Sequence, residues 1–297
     1  MILIVGGTGT LGTKLVDRLS ARGLPVRILA RHLAHTSGTA SGPVERIEGD
    51  VRDRPSVLRA MDGVDTVVSA VHGFGGLGGN SPESVDFRGN ANLIDAAAAA
   101  GAAVVLMSVV GASLDSPMEL FRMKYSAEEY LRSGAVRWTI VRSTAFLETW
   151  IGLLEQTATK SGRPLVFGRG DNLINFVSAT DVAALVEHAV IDPSLRGRTL
   201  EVGGPQNLSL NQLAAAIQRV TGRATPPRHV PRAVLRTMAV VLKPFKPTIA
   251  RMARAALVMD SADLTFDATP LHAAYPDLPA TRLIDLVGTG VGVASPR

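Results

Sequence analysis

The chain has 297 residues, 46% hydrophobic and 19% charged, with no cysteine, a net charge of +5 and a pI near 10.0. That balance predicts a globular protein, either one large domain or a nucleotide domain with a smaller lobe. It excludes disulfides, thiolate catalysis and cysteine-based metal sites, and the six scattered histidines lack ligand spacing, so no metal is expected.

The first element is the apolar run Met1-Ile2-Leu3-Ile4-Val5, of strand length. Gly6-Gly7-Thr8-Gly9-Thr10-Leu11-Gly12 follows at once, and Leu11, Leu15 and Leu19 then recur on one helical face. A strand, a glycine turn and a helix in that order form a phosphate cradle. The glycines permit a tight bend and close approach of a pyrophosphate, and the helix N-terminus offers N–H groups to it. No basic region precedes the apolar run, which predicts no signal peptide. No stretch reads as a membrane span, so a cytoplasmic protein is expected.

Val26–Ala30 is the second strand and ends at Arg31-His32. At this point of a dinucleotide site an acid would hold the 2′-hydroxyl of NAD. Arg31 instead suits a 2′-phosphate, so NADP(H) is expected in preference to NAD(H). Thr36–Gly42 reads as a loop and Val44–Gly49 as an edge-like strand. Asp50-Val51 comes next, where the carboxylate either accepts from an adenine amino group or caps the following turn. Val64–Val71 is a buried strand whose end, Ala70 and Val71, is expected to flank the cofactor, and a glycine-rich loop runs on to Asn80.

Val85–Gly101 reads as one helix and Ala102–Met107 as another buried strand, stopping at Ser108. The Ser108 hydroxyl either orients a substrate carbonyl or nicotinamide amide, or satisfies a strand-end N–H. Met118–Ser133 is helical and carries Lys124, with Glu128 one turn later. The residues alone allow Lys124 either to reach a nicotinamide ribose or to pair with Glu128. Trp138–Arg142 is a further strand, and a helix follows to about Ser161.

The expected fold is therefore α/β, a doubly wound Rossmann-type parallel sheet covered on both faces, with a small C-terminal α/β lobe. We place the nucleotide domain at residues 1–150 and the substrate lobe mainly at 151–297, with 173–191 returning to the first domain. Later elements include a strand over Thr199–Val202 and helices over Leu210–Thr221, Arg232–Lys243, Thr248–Met259 and Leu283–Val287, with a frayed end from Gly288. Arg223 to Arg254 holds eight Lys or Arg residues and no acid. This segment either closes over an apolar pocket or leans on an anionic membrane surface. Interleaved aromatics are nearly absent, so no nucleic-acid partner is expected.

With these residues in view, the chain resembles an atypical short-chain dehydrogenase/reductase of the NmrA-like, quinone-reductase-like group. The glycine motif, Arg31, Asp50-Val51, Val67–Ala70, Ser108–Gly111, Lys124, Arg142-Ser143, Asn175–Val177 and Gly203-Gly204-Pro205 carry the likeness. It implies an NAD(P)H-dependent oxidoreductase acting on small apolar electrophiles such as quinones; a monomer or homodimer is expected. Gly6, Thr8, Gly9, Thr10, Leu11, Gly12, Arg31, Asp50, Val51, Ala70, Val71 and Lys124 would hold the cofactor, with Lys124 and Ser108 at the chemistry. The wider superfamily uses Tyr-x-x-x-Lys, but here Leu120 stands where the tyrosine would be. A non-catalytic NADP(H)-binding sensor or scaffold is the alternative, and a sugar-nucleotide or isomerase-type enzyme is a third reading. The sharpest expectation is that Lys124 faces the ribose and that Glu128 is a bystander, so Glu128→Gln should do little.

Overall fold

The structure, a computed structural model, describes residues 1–32, 44–75, 79–221 and 225–287. The expected loop at Thr36–Gly42, the glycines of the second loop from 76 to 78, Arg223 and the expected frayed end from Gly288 lie outside the described residues.

From the N-terminus the elements are β1 (Ile2–Val5), α1 (Thr10–Ala21), β2 (Val26–Ala30), β3 (Val44–Glu48), α2 (Arg54–Ala60), β4 (Thr66–Ser69), α3 (Asn90–Ala100), β5 (Ala103–Val109), α4 (Glu119–Ser133) and β6 (Trp138–Ser143). The chain continues through β7 (Ala145–Phe146), α5 (Leu147–Ser161), β8 (Leu165–Phe167), β9 (Ile174–Val177), α6 (Ala179–Ile191), β10 (Arg198–Val202) and β11 (Gln206–Leu208). It closes with α7 (Leu210–Thr221), β12 (Arg228–Val230), α8 (Arg232–Val241), α9 (Pro247–Met259), α10 (Thr269–Ala274) and α11 (Leu283–Val287).

These elements form two compact units. The first comprises Met1–Ser143 and Val182–Val202, and the second comprises Thr144–Asp181 and the chain from Gly203. The first unit is built on a seven-stranded parallel sheet in the order β10-β6-β5-β4-β1-β2-β3. All four residues of β1 are buried, as expected for a strand covered on both faces, whereas edge strand β3 keeps its charged residues exposed. The main core gathers Leu3, Val5, Val67, Leu93, Leu106 and Ile140. Buried Glu187 of α6 ties to Arg18 and Arg22 of α1. Strand order reverses between β1 and β4, and in open α/β sheets ligands bind at the carboxyl ends beside that reversal.

The helix expected over Val85–Gly101 is preceded by a wider, π-helical stretch at Pro82–Gly89, with α3 proper starting at Asn90. Ser81 caps the stretch reciprocally with Ser84, and Pro82 starts it. Such wide turns often occur at functional sites.

In the second unit, β11-β9-β7 form one small sheet and β12-β8 another. Leu147, Ile151, Leu154, Phe176, Leu213 and Ile217 make its core, and Leu235, Ala239 and Ala253 make a separate seam between α8 and α9. Buried Asp260 accepts from the backbone N–H groups of Arg169 and Gly170. Among the described residues no helix is long and apolar enough to cross a membrane.

Candidate functional site

The glycine motif sits at the carboxyl end of β1, beside β4. Gly6 has φ +87°, and a Cβ there would lie 2.7 Å from the Ala70 carbonyl oxygen. A Cβ on Gly12 would lie 2.1 Å from the Gly6 carbonyl oxygen and 2.6 Å from the Gly7 Cα. Side chains at these two positions would therefore destroy the turn. The loop is closed by the Gly9 N–H donating to the Gly6 carbonyl at 3.0 Å. Thr8, Gly9 and Thr10 are exposed, while Leu11 and Gly12 are buried. Helix α1 begins with no side-chain cap and no acid in its first turn. A tight, uncapped, acid-free turn into a helix fits an anionic pyrophosphate, so the residues present fit a dinucleotide.

Arg31 is exposed just beyond β2. Its charge helps lower the Asp50 carboxyl below the usual range, but the larger cause is the bond from Arg52, opposed by partial burial. Asp50 accepts from the Arg52 backbone N–H at 2.9 Å and from its Nε and Nη2 at 3.0 and 2.7 Å. Asp53, not Asp50, caps α2. Val51 is buried in the core, and its carbonyl accepts from Asn92 Nδ2 at 2.9 Å. Ala70 and Val71 are half-buried at the end of β4, where the Ala70 N–H donates to the Val5 carbonyl.

Lys124 is 4% exposed, and its partners are not those the helix spacing suggests. Its Nζ donates to the Val71 and Met107 carbonyls, both at 2.9 Å, and lies 3.1 Å from Asp86 Oδ1. Two of the three ammonium N–H groups are spent on these carbonyls, and the Asp86 contact is an ion pair in which the buried Oδ1 accepts no hydrogen bond. Asp86 is fully buried, and its Oδ2 accepts from the Gly73 N–H at 2.8 Å. The network continues through Asn90, whose Nδ2 donates to the Asp86 carbonyl and whose Oδ1 accepts from Ser69.

Glu128 belongs to a second buried cluster. Arg142 grips it in bidentate fashion at 2.9 and 2.7 Å, Arg132 adds a bond at 3.0 Å, and Ser108 Oγ donates to it. That grip is the main reason the Arg142 guanidinium is held more firmly protonated than usual. Ser108 is 2% exposed, with its one hydroxyl proton directed to Glu128. Glu128 is thus an anchor for three side chains and not a bystander, which corrects the expectation for its substitution. Leu120 is half-buried one turn before Lys124, and Tyr130 donates to Asp95.

His72 follows β4 and is exposed, yet desolvation pushes its imidazole below the ordinary range. Asp86 opposes that shift, and Lys124 and Arg31 add to it. Accessibility and desolvation together describe a side chain open to solvent but closely surrounded. Among the described residues no cluster of His, Asp and Glu is arranged to hold a metal.

A model of the NmrA-like family matches residues 1–268. The chain belongs to the NmrA-like family. Among relatives of this NmrA-like chain, an NAD(P)H azoreductase from Xenophilus azovorans is 31% identical over 77% of this chain and 76% of its own. A photosystem II assembly factor, Ycf39, from Synechocystis sp. is 26% identical over 91% of this chain and 84% of its own. An NADPH-dependent quinone oxidoreductase from Escherichia coli, solved with NADPH, superposes with a TM-score of 0.73. That match covers 97% of this chain and 99% of the other at 22% identity, a likeness of fold. The NmrA-like chain is thus an NAD(P)-binding, oxidoreductase-like protein of Rossmann type.

Sequence reasoning missed Asp86, Asn90 and the Glu128–Arg142 pair. The available signal was polar residues at positions that helical or strand periodicity assigns to the core.

Proposed function

We propose that this NmrA-like protein is an NADPH-dependent reductase of small apolar electrophiles, quinones among them. The observation that carries this reading is the glycine cradle beside β4 with Arg31 at the end of β2. No acid stands near Arg31 in sequence to claim a ribose 2′-hydroxyl. The azoreductase and quinone oxidoreductase named above support the substrate class.

Gly6 to Gly12 and the N-terminus of α1 would hold the pyrophosphate, Arg31 the 2′-phosphate, Asp50 and Val51 the adenine end, and Ala70 and Val71 the flank. The dinucleotide supplies a hydride when bound, and the protein supplies position and field. Lys124 contributes positive charge beside the end of β4, where negative charge on a reduced substrate is stabilised. Two of its N–H groups hold the Val71 and Met107 carbonyls, and its charge is paired with Asp86. The third N–H is the one it would offer to a ribose hydroxyl. Leu120 offers no proton, which suits quinones, because their reduced oxygens can draw protons from water.

A second reading, a non-catalytic NADP(H)-binding sensor or scaffold, draws support from Leu120, from the pairing of the Lys124 charge with Asp86 and from the likeness to an assembly factor. The discriminating experiment follows NADPH oxidation against a panel of benzoquinones, naphthoquinones and azo dyes. Turnover that rises with quinone concentration supports the reductase. Tight NADPH binding without turnover on any of them favours the sensor. In parallel, Arg31→Ala should weaken NADPH by about tenfold to a hundredfold, the worth of a charged hydrogen bond, and leave NADH nearly unchanged. Equal losses for both cofactors would refute the 2′-phosphate contact.

A further inference from the structure

The α8–α9 hairpin carries a surface that the proposed chemistry does not use. Its inner seam buries Leu235, Ala239 and Ala253, with Met238, Ala256 and Leu257 packed alongside. Yet Val234, Val240, Val241, Phe245, Ile249 and Met252 are all exposed, half of the exposed large hydrophobic residues among the described residues. Single exposed apolar residues need no explanation, but a cluster of six on one hairpin does. The exposure peaks at the turn, where Phe245 is 80% and Val240 71% accessible.

The charge around the turn has one sign. Lys243 and Lys246 flank Phe245 and are exposed, as is Arg236 on α8, and no acid occurs between Arg223 and Arg254. Near the foot of the hairpin, Arg232 lies 3.4 Å from buried Asp260, so one cation is neutralised there. Pro244 and Pro247 stiffen the turn that presents Phe245.

The chemistry of the patch selects its partner. A second copy of this chain would bring like charges face to face, which opposes association. A nucleic acid would satisfy the lysines, but it offers no apolar phase for valines, and Phe245 alone is a poor stacking platform. An anionic bilayer surface provides phosphates and an apolar boundary a few ångströms apart. We infer that the α8–α9 turn docks the protein on anionic lipid surfaces, with Val240, Val241 and Phe245 entering the headgroup boundary and Lys243 and Lys246 meeting lipid phosphates. The docking is shallow and reversible, and it does not depend on the reductase reading.

The test is flotation of the full-length protein with vesicles of phosphatidylcholine alone or mixed with phosphatidylglycerol, at low and high salt. Binding is expected on the anionic vesicles only and should weaken with salt. Each lysine lost should lower partitioning about fivefold, so Lys243→Gln with Lys246→Gln should lower it about twenty-five-fold. Phe245→Ser should lower it about tenfold. These positions are exposed, so thermal melting should not change and a folding defect is separable. Equal binding to neutral vesicles, no binding to either, or anionic binding insensitive to these variants would overturn the inference. So would equally tight binding to polyglutamate that ignores Phe245→Ser, which would mark an acidic polypeptide as the partner.

Discussion

The Asp86–Lys124 pair offers the most direct quantitative check on the site. Both side chains are almost wholly buried, and the charged atoms are 3.1 Å apart. At an effective dielectric constant of about 20, two unit charges at that separation attract by about 5 kcal/mol. Removing one partner leaves the other charged and buried, which costs about 3–5 kcal/mol. Asp86→Asn weakens the pairing and turns an amide donor toward either Lys124 or the Gly73 N–H. Lys124→Met strips the Val71 and Met107 carbonyls of a donor and leaves Asp86 with the Gly73 N–H alone. Each single variant should therefore lose about 3–5 kcal/mol of unfolding free energy in urea, a large share of a typical total of about 5–15 kcal/mol. The double variant should lose little more than either single, giving a coupling of about 3 kcal/mol. Fluorescence of Trp138, on β6 of the same unit, is a suitable probe. Losses that simply add, to within about 0.5 kcal/mol, would show that the two charges do not sense each other and would refute the reasoning.

Three further outcomes are expected. Gly12→Ala places a Cβ 2.1 Å from a backbone oxygen, so it should deform the cradle and weaken NADPH by at least about tenfold in a fluorescence titration; wild-type affinity would contradict the cradle geometry. Glu128→Gln should cost about 3 kcal/mol in urea unfolding because Arg142, Arg132 and Ser108 all rest on that carboxylate, whereas the exposed neighbour Glu129→Gln should cost under about 0.5 kcal/mol. The folded pKa of Asp50 is depressed below 3.8, so its clamp with Arg52 stabilises the fold above that pH and is lost as pH falls through the folded value. A carboxylate NMR titration should place the Asp50 midpoint below 3.8 and return it upward in Arg52→Gln; an unmoved midpoint would refute the cause.

The parts of this molecule that were legible in the sequence are those whose signal is local. A strand, a glycine turn and a helix occupy the first twenty residues, and no distant partner is needed to recognise them. The alternation of apolar runs and amphipathic helices up to Ser143 likewise announces a parallel sheet. The partners within the buried polar networks were illegible for the converse reason. Asp86 lies between Val85 and Phe87 in what reads as an ordinary helix, and its partner sits on α4. Lys124 and Glu128 have ideal spacing for a helical pair, yet each is buried against a stronger partner, Asp86 for the lysine and Arg142 for the glutamate. A surface contact worth a few tenths of a kcal/mol does not compete with buried pairs of opposite charge. Thr199–Val202 was visible as a strand, but nothing in its residues names the sheet it joins.

That strand has a consequence for synthesis. β10 is the strand that pairs with the outer side of β6, and it is made only after the chain has left the first unit and come back. At roughly 5–20 residues per second, the nascent chain leaves β6 without that neighbour for roughly 3–12 s. During that interval the apolar Ile140 and Val141 lie on an open sheet edge, the kind of template that recruits other chains. Slow decoding between Ser143 and Val202 would lengthen the exposure, and a fragment ending at Ser143 would never close it.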